Sequence, residues 1–467
     1  MDDIAVKFIK TFKFGTGFKC LFLIWHVGTV IIYTSVSTPT KIKYLLSGLR
    51  YYNIRKIEFT NVVVIMKQQV AKSINSHINE FSIPLIICLF GIIIGASYYV
   101  NLWRMGPDGL SIVSHSTPYW DFNNLWTGGR LALEGHVDWL FDTEKYRAEM
   151  RNLLGPNLPP QEWSYPPNML LIAAPLAMFP PIIAYIIWTL GSLLLLYIAI
   201  KPFKLPPLLQ LVILFSPAVF INTLLGQNGT FISALLIMGL YHAPKKPVLA
   251  GICIGLMTVK PQFGVLLPFL LIASRNWTAF ISASVTALGM VILTSLFFGF
   301  DVWSNFLGYT QPMMRGIMEA PYPQDYHTNA VPVFIFVRAI GAGLFGAYAF
   351  QAVVSVLAII IGVKLWHRST NIDHIQRVAV TCVLVMLATP YAYTYDMVAL
   401  GAAIVIVYAT SERLVWFPVF APIWLFPLFN HVIISQHPKL SFGAICILAT
   451  FILLSLTLRF QKLKPIR

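Results

Sequence analysis

Asp121 stands among aromatic rings and amides in the run Pro118-Tyr119-Trp120-Asp121-Phe122-Asn123-Asn124-Leu125-Trp126. A carboxylate in that setting has two uses. It can cap the helix that follows, accepting backbone N–H bonds two or three residues on. It can also act as a general base, taking the proton of an incoming hydroxyl as that oxygen attacks an electrophilic carbon. The two roles are compatible, because a cap fixes the carboxylate in place. Asn124, Trp126 and the later Tyr165 are candidate sugar contacts. Trp120, Trp139, Phe141 and Trp163 add aromatic faces, which pack against the C–H face of a sugar and also suit a membrane interface.

A second set of polar residues lies further along the chain. Gly226-Gln227-Asn228-Gly229 reads as a tight turn whose side-chain amides, Gln227 and Asn228, can hydrogen-bond a sugar; turn formation alone would also explain its glycines. Lys260, in Lys260-Pro261-Gln262, is a cation inside an apolar stretch. An ammonium there costs about 2.5–3.5 kcal/mol at a bilayer centre, so it is expected to be functional or paired. We read Lys260, with Gln262 beside it, as the counter-charge for a lipid-linked phosphate. Asp396 follows Tyr391-Ala392-Tyr393-Thr394-Tyr395 and supplies a second acid. The polar stretch 301–331, with His327 and Asn329, is expected to cover the site from above. The chain contains no Walker loop, serine elbow, dinucleotide fingerprint or zinc-spaced histidine pair. An activated sugar would therefore arrive on lipid rather than on a nucleotide, and neither a metal nor a separate cofactor is required.

The elements that must position these residues are membrane helices. The chain is 57% hydrophobic and 11% charged, with a mean hydropathy of +0.72. At about 20 apolar residues per ~30 Å crossing, it has room for about 10–12 transmembrane helices. The expected fold class is all-α, a polytopic membrane protein with a long first outer loop (104–180) containing amphipathic surface helices. Apolar spans are read at Ile83 to Trp103, Pro181 to Ile200, Leu205 to Leu225, Phe231 to Tyr241, Ala279 to Phe298, Val331 to Val363, Val378 to Ala392, Met397 to Ala409, Leu414 to Ile434 and Leu440 to Leu458. Asn168 to Phe179 is too short to span and is expected to dip into one leaflet. The formal charge of +15 excludes nothing by itself, but its distribution is that of positive-inside bias rather than of nucleic-acid binding.

Counting from Met66, this threading puts 15 Lys/Arg inside and eight outside. Parity then requires Val248 to Ala273 to enter and leave on one side, as a broken hairpin with Lys260-Pro261 at its tip. The five cysteines sit in apolar segments without metal-ligand spacing and imply neither a disulfide framework nor a zinc site. Residues 1–65 read as an extra membrane anchor or as an upstream extension, with Met66 opening the domain 66–467.

Taken in order, several pieces resemble glycosyltransferase family 87, the polyprenyl-phosphate-sugar-dependent transferases with the GT-C membrane fold. They are Asp121-Phe122, Leu131-Ala132-Leu133-Glu134-Gly135, Tyr165-Pro166-Pro167, Ala174-Pro175-Leu176, Gly226-Gln227-Asn228, Lys260-Pro261-Gln262 and Thr389-Pro390-Tyr391. The resemblance implies a GT-C-type bundle and a catalytic aspartate at Asp121. It also implies a mannosyl-phosphoprenol type of donor and inversion at the anomeric carbon. Many relatives carry a tryptophan–histidine pair where this chain has Tyr395-Asp396, which bears on the acceptor contacts. The expectation is a hexosyltransferase of a bacterial inner membrane, acting at the outer face. Its partners would be a polyprenyl-phosphate sugar, a glycolipid or glycan acceptor and membrane lipids. The competing expectations are a lipid-glycan translocator or secondary transporter, and a surface-polysaccharide ligase or polymerase.

Overall fold

In the computed structural model, residues 20–26, 29–35, 82–368, 372–410, 417–432 and 441–460 are described. Met66 and the cations Lys67, Lys72, Arg413, Lys439, Lys462, Lys464 and Arg467 lie outside them. The chain divides into two units, Met1–His77 and Ile78–Arg467. In the first, β1 (Cys20–His26) and β2 (Thr29–Ser35) pair antiparallel, with Cys20 opposite Ser35 and His26 opposite Thr29. Most of residues 1–65, read as an extra anchor or an upstream extension, lie outside the described residues.

The second unit is helical throughout its described elements. α1 (Ser82–Leu102) leads into the long loop, which holds α2 (Trp120–Leu133), α3 (Thr143–Leu154) and α4 (Leu170–Ala177). Then come α5 (Pro181–Ile200), α6 (Pro207–Leu214), α7 (Pro217–Leu225), α8 (Gly229–His242), α9 (Pro247–Leu256), α10 (Leu267–Ala273) and α11 (Trp277–Phe298). A second loop carries α12 (Asp301–Asn305), a π-helical turn at Phe306–Thr310 and α13 (Gln311–Glu319). The chain closes with α14 (Val333–Ala339), α15 (Leu344–Trp366), α16 (His374–Ala388), α17 (Val398–Thr410), α18 (Phe417–Val432) and α19 (Gly443–Phe460).

Three stretches among the described residues are long and apolar enough to cross a membrane: Pro181–Phe203, Trp277–Phe298 and Leu344–Trp366. A fourth forms if α6 and α7, bent by 43°, count as one span. The break falls at Ser216-Pro217, where the proline lacks the N–H that would continue the helix. Helix α1, with 21 residues, also has the length of a span, and several of the remaining apolar helices are shorter. Val331 to Val363 likewise splits at Ile340–Gly343 into α14 and α15, which run antiparallel: the Phe334 N–H donates to Gln351 Oε1 at 3.0 Å, two turns into α15.

The shortness has a pattern. α8 has 14 residues, α16 has 15 and α17 has 13. At 1.5 Å per residue each rises only about 20 Å, against about 34 Å for the 23-residue α15. All share one end. The Tyr241 hydroxyl donates to Pro202 O at 3.2 Å, and His374 Nε2 lies 2.8 Å from Tyr241 O. Asn276 Nδ2 donates to Ala243 O at 2.6 Å, and Arg368 Nε to Ser274 O at 3.1 Å. Lys201, Lys204, Lys245, Lys246, Arg275 and Arg377 gather there too, so we call it the basic end. The short helices stop about 10 Å below the loop end of α15: Gln351 Nε2 donates to Leu387 O, at the top of α16, at 3.0 Å. α9 and α10 form the expected hairpin. Ala243 and Asn276 meet at its base, and Lys260 lies at its tip.

Within the long loop, α3 is the amphipathic surface helix. It buries Tyr146 and Met150, one turn apart, and exposes its charges. α2 is different, being enclosed on nearly every side with ten of its 14 residues buried. Two of its buried amides find partners in place: Asn123 Nδ2 donates to Thr117 Oγ1 at 2.6 Å and Asn124 Nδ2 to Glu162 O at 2.8 Å. Cys88, Cys253, Cys382 and Cys446 are buried free thiols.

Candidate active site

The enclosed helix α2 packs on α4, α5 and α7, and its first turn meets the turn that leads from α7 into the short helix α8. Asp121 lies in the first turn of α2 but does not cap it; Tyr119 holds the cap position, without a side-chain bond. The carboxylate points to other partners. Gln227 Nε2 donates to Oδ2 at 2.9 Å and Gln161 Nε2 to Oδ1 at 3.3 Å. The group is half-buried. Burial pushes its pKa up to about 6, opposed by the Gln227 amide, the Lys260 charge and the Gln161 amide. A carboxyl tuned to that range is charged at neutral pH and is a far better proton acceptor than an ordinary aspartate.

The Gln227 contact depends on the turn after α7. Gly226 closes that helix with φ +72°, a conformation that disfavours side chains, and a Cβ there would lie 2.4 Å from Phe122 Cβ. The turn and the first turn of α2 therefore interlock. Gly229 is held from the other side, since its Cβ would fall 2.2 Å from Tyr395 O. Both glycines serve close approach as well as the turn.

Lys260 is 8% exposed, and its ammonium is fully engaged. Nζ donates to Asp396 Oδ1 at 2.5 Å and to Asn228 Oδ1 at 3.0 Å, with the Tyr395 ring 5.1 Å and the Phe263 ring 5.3 Å away. The cation expected to meet a phosphate is thus paired with Asp396 in this structure. Asp396 is itself anchored, its Oδ2 accepting from the Tyr393 N–H at 3.0 Å. Burial raises the Asp396 carboxyl, and Lys260 opposes the shift. A buried ionic pair of this kind demands good geometry on both sides.

Asp121, Gln227, Asn228, Lys260, Asp396 and Tyr165 thus converge. Tyr165 is buried, and the charges of Asp121 and Asp396 add to the desolvation that raises its phenol. Two other candidates turn out to brace the loop. The Asn124 amide binds Glu162 O and accepts from Tyr146 Oη at 2.6 Å, and Trp126 Nε1 donates to Phe179 O at 2.9 Å. Both are buried. Of the wider aromatic set, Trp163 is 1% exposed and belongs to the core. Gln262 is half-buried beside Lys260 in the hairpin tip.

Two features escaped the reading of the sequence. Gln161 sits in a loop without regular structure, where nothing in its neighbours marks it. Tyr391, Tyr393 and Tyr395 were legible in part: alternation at a period of two signals an extended segment with one face of like residues. The three are half-buried and Ala392, Thr394 and Asp396 are buried, but the extended backbone ends at Tyr393, where a 3-10 turn over Thr394–Asp396 begins. Ring centroids are 5.3 Å apart for Tyr391–Tyr393 and 5.4 Å for Tyr393–Tyr395. The second loop covers this segment as expected. Ala330 bridges to Tyr393, and Val331 N–H donates to Ala392 O at 3.0 Å. Buried His327 stacks on Tyr322 beside it.

Residues 163–390 match the family model of Glycosyltransferase family 87. The chain belongs to that family. Tyr165, Gln227, Asn228, Lys260 and Gln262 fall within the match, whereas Asp121, Gln161 and Asp396 lie outside it. Among curated proteins and among solved structures, no match was found. As a member of glycosyltransferase family 87 with a polytopic apolar helical body, the protein is a membrane glycosyltransferase.

Proposed function

We propose that this transferase moves a sugar, most simply mannose, from a polyprenyl phosphate to an acceptor hydroxyl, with inversion and with Asp121 as general base. One observation carries the reading. A half-buried carboxyl tuned to about 6 is held by two amides, within reach of the charge of a buried lysine. The acceptor O–H gives its proton to Asp121 as its oxygen bonds to the anomeric carbon. The bond from that carbon to the phosphate oxygen breaks on the opposite face, and its electron pair leaves with the prenyl phosphate. Lys260, already gripped by Asp396 and Asn228, then shares its ammonium with the phosphate. Asp396 holds the lysine in position instead of binding the sugar. Stabilising the charge that develops on a leaving group is among the strongest effects an active site exerts.

The gathering of cations at the opposite end supports an orientation with the site on the non-cytoplasmic side. A bacterial plasma membrane, a glycolipid or glycan acceptor and the absence of any separate cofactor complete the proposal.

Purified protein is incubated with radiolabelled prenyl-phosphate mannose and a membrane glycolipid extract. Label should pass to the acceptor in wild type and not in Asp121→Asn of unchanged folding. Full transfer by that variant would remove Asp121 from the reaction, and donor left intact by wild type would dismiss the donor assignment.

A further inference from the structure

The second loop closes over the segment before Asp396 through a short turn, Asp325–Asn329, that folds around one histidine. His327 is 1% exposed and ties back to Gln324 twice. Its backbone N–H donates to Gln324 O at 2.9 Å, and its Nδ1 accepts from the Gln324 N–H at 3.2 Å. A ring nitrogen that accepts carries no proton, so the neutral ring keeps its hydrogen on Nε2. Nε2 is buried and meets no partner. An asparagine could cap the turn without that buried donor, which costs about 1–3 kcal/mol. What the imidazole adds is a proton switch.

A second proton would have to sit on Nδ1, where it would face the Gln324 N–H as donor against donor. The surroundings offer the charged ring little. Tyr322 stacks on it at 5.3 Å and Tyr326 meets it edge-on at 4.6 Å, while Tyr391 and Tyr393 line the same crevice. Arg338, from α14, brings a like charge while donating to Glu319 O and Ala320 O. Ile317 O favours the charged ring but already accepts from Tyr326 Oη at 2.8 Å, and the Glu319 carboxylate accepts from Tyr348 Oη at 2.7 Å. Burial and Arg338 accordingly hold the imidazole below its ordinary 6.5.

The turn is docked to the rest of the protein by contacts that depend on its shape. Asn430 Nδ2 donates to Thr328 O at 2.9 Å, and the Val331 N–H to Ala392 O at 3.0 Å. Ala330 bridges to Tyr393, whose own N–H holds Asp396.

We propose that His327 is a pH-sensitive latch: neutral, it locks residues 320–331 over the segment that leads to Asp396, and protonated, it releases them. The latch does not depend on which donor or acceptor the enzyme uses. Its sign follows from linkage: the closed state disfavours the imidazolium, so closure is complete above the ordinary histidine range and weakens as pH falls below it.

The test is amide hydrogen exchange over residues 322–331 of the full chain in nanodiscs, expressed as protection factors corrected for the intrinsic effect of pH. Protection in wild type should fall about tenfold between pH 7.5 and pH 4.5. His327→Asn keeps an acceptor near the Nδ1 position and cannot titrate, so its protection should be equal at both values. His327→Phe should be weakly protected at both. A flat wild-type profile overturns the latch, and so does a wild-type-sized fall in His327→Asn. Should His327→Asn fail to close at pH 7.5, Asp121→Asn and Glu319→Gln carry the comparison. A fall that survives in both supports the latch, whereas its loss in either assigns the titration to that carboxyl and overturns it.

Discussion

The Lys260 ammonium and the Asp396 carboxylate, separated by 136 residues of chain, meet at 2.5 Å with 8% and 2% of their residue surfaces exposed. The pair joins the hairpin tip to the segment between α16 and α17. Each partner is held by a second contact, from Asn228 and from the Tyr393 N–H. The pair is a structural tie as well as a source of charge.

Removing one half should therefore be worse than removing both. Lys260→Met leaves Asp396 buried without its counter-charge, a loss of about 3–5 kcal/mol for a pair of this kind. Lys260→Met/Asp396→Asn should regain much of that stability in thermal unfolding yet stay inactive in the transfer assay. A double variant as unstable as the single would show that packing, not charge balance, sets the cost.

The raised pKa of Asp121 fixes an acid limb. As a general base it must be ionised, so kcat/KM should climb tenfold per pH unit below about 6 and level off above it. Replacing Gln227 by Leu removes the shorter of the two bonds to the carboxylate. A hydrogen bond to a charged group is worth about 1.5–3 kcal/mol, so the limb should move about 1–2 pH units higher. A limb that stays put in Gln227→Leu would assign the titration to another group.

The same carboxyl should oppose stability. In the unfolded chain it ionises near 3.8, in the folded protein near 6. Below both values it is protonated in either state and contributes nothing. Stability falls as pH rises through that window, and above about 6 the whole penalty of holding a buried charge is present. Asp121→Asn should thus melt higher than wild type at pH 7.5, with the gap closing by pH 4. Equal melting temperatures at pH 7.5 would contradict the burial argument.

Gly229→Ala should disable the site through the backbone. Its Cβ would fall 2.2 Å from Tyr395 O, pushing the next residue, Asp396, away from Lys260. Overpacking of this order costs about 1–3 kcal/mol, and transfer should drop sharply in the membrane assay. Gly191→Ala, with nothing within 4 Å of its added methyl, is the control and should keep wild-type activity.

Much of this architecture was legible in the residues. Lys260-Pro261 had to turn the chain back, because charge parity failed otherwise, and the hairpin does so. Asp121 was marked by its neighbours, and Gln227-Asn228 by the glycines on either side. Three-dimensional proximity decided what composition did not. Trp126, five residues after Asp121, points to another face of α2, whereas Asn124, three residues on, shares its side but is taken up by Glu162 O and Tyr146 Oη. Gln161 reaches Asp121 from a loop that the Arg147–Glu162 ion pair ties to α3 and the Asn124–Glu162 bond ties to α2. Hydropathy counts apolar residues and does not see that several helices stop a third of the way short. Asp396 was read as a sugar contact because nothing local shows that a lysine 136 residues away claims it.

The difference in helix height has a consequence for traffic. With four-turn helices under the reaction centre and six-turn helices such as α15 beside it, the proposed reaction would take place in a shallow recess at the loop end. A carrier lipid can slide its head group in from the side while a water-borne glycan reaches down from the rim. Under the proposed reaction, two reactants of opposite solubility meet without either crossing the oily layer. Only the projecting tip of a glycan fits such a recess, so growth by this enzyme would extend ends and leave interior units untouched.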